Sequence, residues 1–211
     1  MHIPDGFLSP AVWMTMWIIS AGIIGYAILR TNKRLRERHV PLMGVLAAFI
    51  FAGQMLNVPI AAGTSGHLLG GVLSAIFLGP FAGSIVMSTV FIVQAVFFQD
   101  GGIFALGANI FNMGLIGTIL GYYIYTGVKN LIGGTKGMLV GAGIAGWLAV
   151  VLASIATSLE LGFSGTVPLN YVLPAMVGIH AIIGIIEAAI TITVVAYVLR
   201  VRPDLLELPK V

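Results

Sequence analysis

The residues best suited to hold a metal stand at the start of the chain, Met1-His2. With a free terminus, the Met1 amine, the His2 amide nitrogen and the His2 Nδ1 close on one ion as fused five- and six-membered chelate rings. Three nitrogens then lie in one plane, provided the amide gives up its proton, which divalent nickel or copper promotes. A fourth in-plane nitrogen completes a square. Square-planar nitrogen donation is the geometry of Ni(II) or Cu(II) rather than of zinc or magnesium. His67, in Thr64-Ser65-Gly66-His67, is the candidate fourth ligand. Four histidines are present, and the other two read differently. His39 lies in the basic run RTNKRLRERHV and is expected to be solvated. His180 lies in an apolar run seven residues before Glu187, on roughly the same helical face. It is either a hydrogen bond between helices or part of a functional site at membrane depth. With no cysteine, a transition-metal site must use nitrogen, oxygen or thioether donors.

Metal ligands need outer partners that fix ring orientation. Asn57, Ser65, Gln94 and Asp100 are the candidates, with Gln54, Asn109 and Asn112 beside them. Each of these polar residues also has the alternative of capping a helix or bonding between helices. Walker A and GxSxG patterns are absent from the sequence, so the chain is expected not to hydrolyse ATP itself and to need an external engine for any ATP-driven process; as a metal-capturing transport subunit it would be no enzyme. The rival reading is an integral-membrane metal-dependent enzyme, with His67, Asp100 and His180 around an open coordination position.

Composition dictates where such residues sit. The 211 residues include ten basic and seven acidic side chains, and 59% are hydrophobic. Soluble proteins carry roughly 25% charged residues, so a soluble domain and a disordered chain are both excluded. An all-α integral membrane protein remains. Nucleic acid is not an expected partner; the basic residues read as topology signals facing a lipid bilayer. Spans are expected over 9–29, 41–57, 67–79, 81–98, 101–128, 137–159 and 171–199. Proline after Gly79 suits the first turn of a helix. Seven spans put Arg30, Lys33, Arg34, Arg36, Arg38, Lys129, Lys136, Arg200, Arg202 and Lys210 on one side, which is every basic residue. The positive-inside rule then sets the C-terminus in the cytoplasm and the N-terminus outside. The opening MHIPDGFLSP lacks the basic region of a signal peptide, so the first helix is expected to be retained. The chain reads as one domain over 1–211: a metal-binding terminus at 1–8, an N-terminal helix at 9–30 and a six-helix core at 41–200. Small residues four apart, such as Gly117/Gly121 and Ala142/Gly146, favour close helix packing.

The segments MHIPDGFLSP, TSGHLLGG and FFQDGGIFALGANIFNMG together resemble the CbiM/NikM family, the substrate-binding (S) components of nickel/cobalt energy-coupling factor transporters. The resemblance runs over essentially the whole chain. It implies an S-component-like core of six helices plus one N-terminal helix. It implies that Ni2+ or Co2+ is the transported substrate, held by the Met1 amine, the His2 amide and imidazole, and the His67 imidazole. It also implies partners: a transmembrane coupling (T) protein, two cytoplasmic ABC-type ATPases and often a small accessory membrane subunit. Ala48 and Ala52 resemble the small-residue patch that S components present to the coupling protein. The location implied is a multi-pass position in the prokaryotic cell membrane.

Overall fold

A computed structural model describes residues 1–56, 58–60 and 64–211, with side chains outside 57–66. Two helices open on proline: α1 (Pro10–Asn32) and α4 (Pro80–Phe97). Proline fits there because the first helical N–H has no intrahelical acceptor and φ is already set. Between them lie α2 (His39–Met55), a short antiparallel pair of β1 (Val58–Ile60) and β2 (Thr64–Gly66), and α3 (Gly71–Leu78). After a loop at 98–105, a continuous helical run comprises α5 (Leu106–Asn109), a π-helical stretch Ile110–Leu120 and α6 (Gly121–Ile132). Gly133 and Gly134, both at positive φ, turn the chain into α7 (Gly134–Phe163). The last elements are α8 (Leu169–Val201) and the one-turn α9 (Asp204–Glu207). By length and composition, α1, α4, α7 and α8 are each able to cross a membrane.

Helix α3 forms the centre. Each of its eight residues is buried, and it packs against α4, the π stretch and α7. At ~1.5 Å per residue it is about 12 Å long, less than half a hydrocarbon core. The expected start at 67 is replaced by a start at Gly71. The reason is tertiary: Leu69 and Gly70 give their N–H groups to the Glu187 carboxylate on α8, and Gly70 sits at φ +77°. Backbones touch where small residues meet. A Cβ on Gly71 would lie 2.9 Å from the Gly117 Cα, so this approach requires glycine.

His39 overturns the expectation of solvation. It is fully buried, because the C-terminal tail folds back over the start of α2. The Arg36 N–H donates to His39 Nδ1, and the ring donates to the Pro209 carbonyl at 3.1 Å. The tail is then clamped between α3 and α4, where Val211 N–H donates to Leu78 and Ala82 N–H donates to Val211. Glu160, near the end of α7, is buried and accepts Asn112 Nδ2–H at 2.6 Å.

Helix α1 is held close to α5. Ser20 donates to the Gly107 carbonyl at 2.7 Å, and a Cβ on Gly107 would fall 2.6 Å from the Trp17 backbone. Gly107→Val is therefore expected to lower stability by about 1–3 kcal/mol through overpacking, read as a lower Tm in detergent. An unchanged Tm would mean that α1 tolerates displacement.

Candidate metal centre

The first five residues form a strap that runs inward and is pinned at three points. Ile3, 3% exposed, donates its N–H to Asn109 Oδ1 at 2.8 Å, and Asn109 Nδ2–H donates back to the Ile3 carbonyl at 3.1 Å. Gly102 N–H donates to the same carbonyl at 2.9 Å. The Asp5 carboxylate accepts the N–H groups of Ile103, Phe104 and Ala105 at 3.0, 2.8 and 3.2 Å. Those donors close the loop just before α5, beside a helix start where an anion is favoured. A side chain on Gly102 would overlap Asp5, which accounts for the Gly101-Gly102 pair in the loop. Asn109→Ala leaves the buried Ile3 N–H unpaired. It is expected to cost about 1–3 kcal/mol and to weaken metal binding, checked by thermal unfolding and metal titration of one preparation. Binding at full strength in that variant would mean that Asn109 does not hold the strap.

The pinned strap brings Met1 and His2 to His67. The Met1 amine lies 3.3 Å from His67 Nε2. The two imidazoles stack with centroids 4.8 Å apart. Hydrogen bonds decide which ring nitrogens carry lone pairs. His67 Nδ1 lies 2.8 Å from the Leu68 carbonyl, which can only accept, so Nδ1 holds the proton and Nε2 is bare. His2 Nε2 lies 3.1 Å from Gln94 Oε1. The Gln94 amide is oriented by donating to Gln54 Oε1 at 2.8 Å, and Gln54 donates in turn to the Leu69 carbonyl at 2.7 Å. His2 Nε2 is therefore the donor and His2 Nδ1 is bare.

That bare Nδ1 faces Asp100 Oδ1 at 3.3 Å. Two acceptors at this separation repel unless a proton or a cation lies with them. A proton on His2 is disfavoured. Burial, and then the neighbouring terminal ammonium, push its pKa down to about 3, against a rise from the Gln94 bond. His67 is held well below its usual value by burial, then by the terminal ammonium, His2 and His180, with the Leu68 bond opposing. Burial also pushes the Met1 amine down to about 6, with Asp100 opposing. Asp100 is raised by burial and lowered by the terminal amine. At neutral pH three neutral nitrogens with free lone pairs thus converge beside one carboxylate. The set suits a cation that binds nitrogen.

The other expected residues divide. Gln94 and Asp100 contact His2 directly. Asn57 lies outside the described residues, as does the side chain of Ser65. Asn112 is not at the centre; it bonds Thr157 and Glu160. His180 is buried on α8, with Nδ1 donating to Met176 and no partner for Nε2. Among the described residues, no group of three or more His, Cys, Asp or Glu side chains is arranged to hold a metal. Ala48 and Ala52 are exposed on one face of α2. Sequence reasoning gave Asp5 no local role, although its place three residues after His2 was a usable signal. It also left Glu187 without a task.

The chain's similarities point one way. Residues 2–205 match the family model described as the cobalt uptake substrate-specific transmembrane region, CbiM. A relative in Haloquadratum walsbyi, named provisionally as a metal transport protein, is 42% identical over 97% of this chain and 93% of its own length. One in Archaeoglobus fulgidus, named provisionally as a fused nickel transport protein, NikMN, is 41% identical over 98% of this chain and 68% of its own. The crystal structure of a truncated transition metal transporter superposes with a TM-score of 0.88. It shares 37% identity, covering 95% of this chain and 99% of that one.

Proposed function

Because the chain belongs to the CbiM family, the substrate-specific transmembrane components of cobalt and nickel uptake, we propose that it captures nickel or cobalt at the outer face through four nitrogens. These are the Met1 amine, the ionised His2 amide, His2 Nδ1 and His67 Nε2. The observation that carries the reading is the approach of the Met1 amine to a bare His67 Nε2 at 3.3 Å, with the His2 tautomer fixed by Gln94. The reading requires a free amine on Met1. Charge supports it as well. A divalent ion with one amide anion leaves a single positive charge, and the Asp100 carboxylate beside His2 balances it. A buried charge without such a partner is costly.

The planar arrangement favours nickel, with cobalt the second candidate. In this reading the ion is cargo rather than a resident cofactor. On the seven-crossing count, which gathers all ten basic residues on one side, the N-terminus lies outside and the basic segments in the cytoplasm. ATP hydrolysis falls to two cytoplasmic ABC-type ATPases, coupled through a transmembrane T protein. The exposed Ala48 and Ala52 on α2 are the proposed contact with that protein. The fused NikMN relative extends beyond the region it shares with this chain, which is in keeping with a small accessory membrane subunit among the partners. The relatives are named as transport proteins, which favours this reading over an enzyme built on His67, Asp100 and His180.

Elemental analysis of the purified protein tests the reading. Nickel or cobalt is expected near one ion per chain, and His67→Ala is expected to lack it. Equal metal content in the two proteins overturns the proposal.

A further inference from the structure

Glu187 is a carboxylate in the middle of an apolar helix, 2% exposed. Its two oxygens are both engaged: Oε2 accepts the Leu69 N–H at 2.7 Å and Oε1 accepts the Gly70 N–H at 3.0 Å. These donors stand at the start of α3, where N–H groups have no intrahelical acceptor. Helix α3 has no side-chain cap of its own, because its N-cap is Gly70 in the left-handed region. A side chain at 70 is excluded by Ile50, whose carbons would lie 2.8 Å from a Cβ. The cap therefore comes from α8.

The capped groups lie only two and three residues beyond His67. Leu69 is held from both sides: its N–H by Glu187 and its carbonyl by Gln54 at 2.7 Å. The same Gln54 orients Gln94, which orients His2. Hydrogen bonds thus run from Glu187 through the Leu68–Leu69 peptide to His67, whose Nδ1 donates to the Leu68 carbonyl, and through the Leu69–Gly70 peptide, Gln54 and Gln94 to His2. Gln54 and Gln94 are fully buried, so the chain has no slack through water.

We propose that Glu187 is a positioning residue of the metal centre, gripping the segment from His67 to Gly70 so that His67 Nε2 meets the Met1 amine. It acts through the backbone and does not touch the ion. This inference rests on the four-nitrogen reading. It also explains why an acid is kept at membrane depth, where a charge is expensive unless satisfied.

The test uses the full chain in detergent, with nickel affinity measured by chelator competition and with the spin-resonance spectrum of the copper-loaded protein, which reports the number of nitrogen donors. Glu187→Gln presents an amide N–H to a backbone N–H and keeps one acceptor. It is expected to weaken nickel binding by about 10- to 100-fold, the range for outer partners of metal ligands, and to move the copper spectrum toward that of His67→Ala. Ser74→Ala is the structural control. It removes the bond from Ser74 to the Gly71 carbonyl in the same first turn, and is expected to lower Tm while leaving affinity and spectrum unchanged. Glu187→Asp keeps the charge but withdraws it by one methylene, and gives the same test if Glu187→Gln does not accumulate. Wild-type affinity and spectrum in the Glu187 variants overturn the inference, whatever their Tm. Wild-type affinity in His67→Ala instead overturns the four-nitrogen reading, so the two failures are distinguishable.

Discussion

Blocking the Met1 amine abolishes tight nickel or cobalt binding. The expectation follows from what the amine contributes. It closes the five-membered ring with the His2 amide, and that ring shares its amide nitrogen with the six-membered ring to Nδ1. Without the amine, the ion keeps an amide that is hard to ionise and two separate imidazoles. The loss should exceed the roughly 10- to 100-fold typical of removing an outer-shell partner alone. The choice of block matters. A single added residue would itself offer an amine, two amides and the same imidazole, a four-nitrogen chelate belonging to the peptide alone. Nα-acetylation or a longer extension avoids this. The measurement is metal content after purification, with nickel affinity by chelator competition. Full affinity in the blocked protein would remove the amine from the ligand set and leave the two imidazoles and Asp100 to account for binding. The strap should stay folded in that protein, because Ile3 and Asp5 hold it through Asn109 and the loop at 102–105. A lost ion with an unchanged Tm would thus separate ligand loss from unfolding.

The centre was legible in the sequence to the extent that its chemistry is local. Met1 and His2 carry their chelate geometry wherever the chain goes. Helix limits were legible where proline follows glycine, as at Gly79-Pro80, whereas the turn at Gly133-Gly134 was placed several residues too wide. What escaped was decided by partners distant in sequence. The start of α3 depends on Glu187, 117 residues beyond Gly70. His39 looked solvated because its neighbours are cations, yet a tail 170 residues away covers it. Gln94 and Asn112 were indistinguishable as buried amides. One faces His2 and the other faces Glu160, and only the packing of the π stretch between α4 and α7 separates them. Periodicity reports that a face is buried; it does not report which polar atom meets which across it.

The second large effect is on pH, and its form follows from the titrating groups. The bound ion excludes a proton from each nitrogen it takes, so affinity falls by about tenfold per pH unit for every proton released. The amide always releases one. The amine releases a second only where it is protonated in the free protein. Burial has pushed that group down to about 6, from an ordinary value near 8. The imidazoles do not contribute near neutrality, since His2 is pushed down to about 3 and His67 is held well below its usual range. Above pH 6, therefore, one proton leaves per ion, and below pH 6 two leave. From pH 8 to pH 5 the affinity is expected to fall by about 10⁴-fold, with the slope doubling near pH 6. An amine titrating at its ordinary value would put the break near pH 8 and make the fall about 10⁶-fold over the same range. Calorimetry in buffers of different ionisation enthalpy counts the protons directly, with one expected at pH 7 and two at pH 5. No proton at pH 7 would mean that the His2 amide stays protonated and the square is not formed. Two at pH 7 would mean that the terminus is not desolvated by its strap. Burial of the terminus, which pushes the amine down to about 6, thus leaves that nitrogen mostly unprotonated above pH 6 and ready to bind the ion.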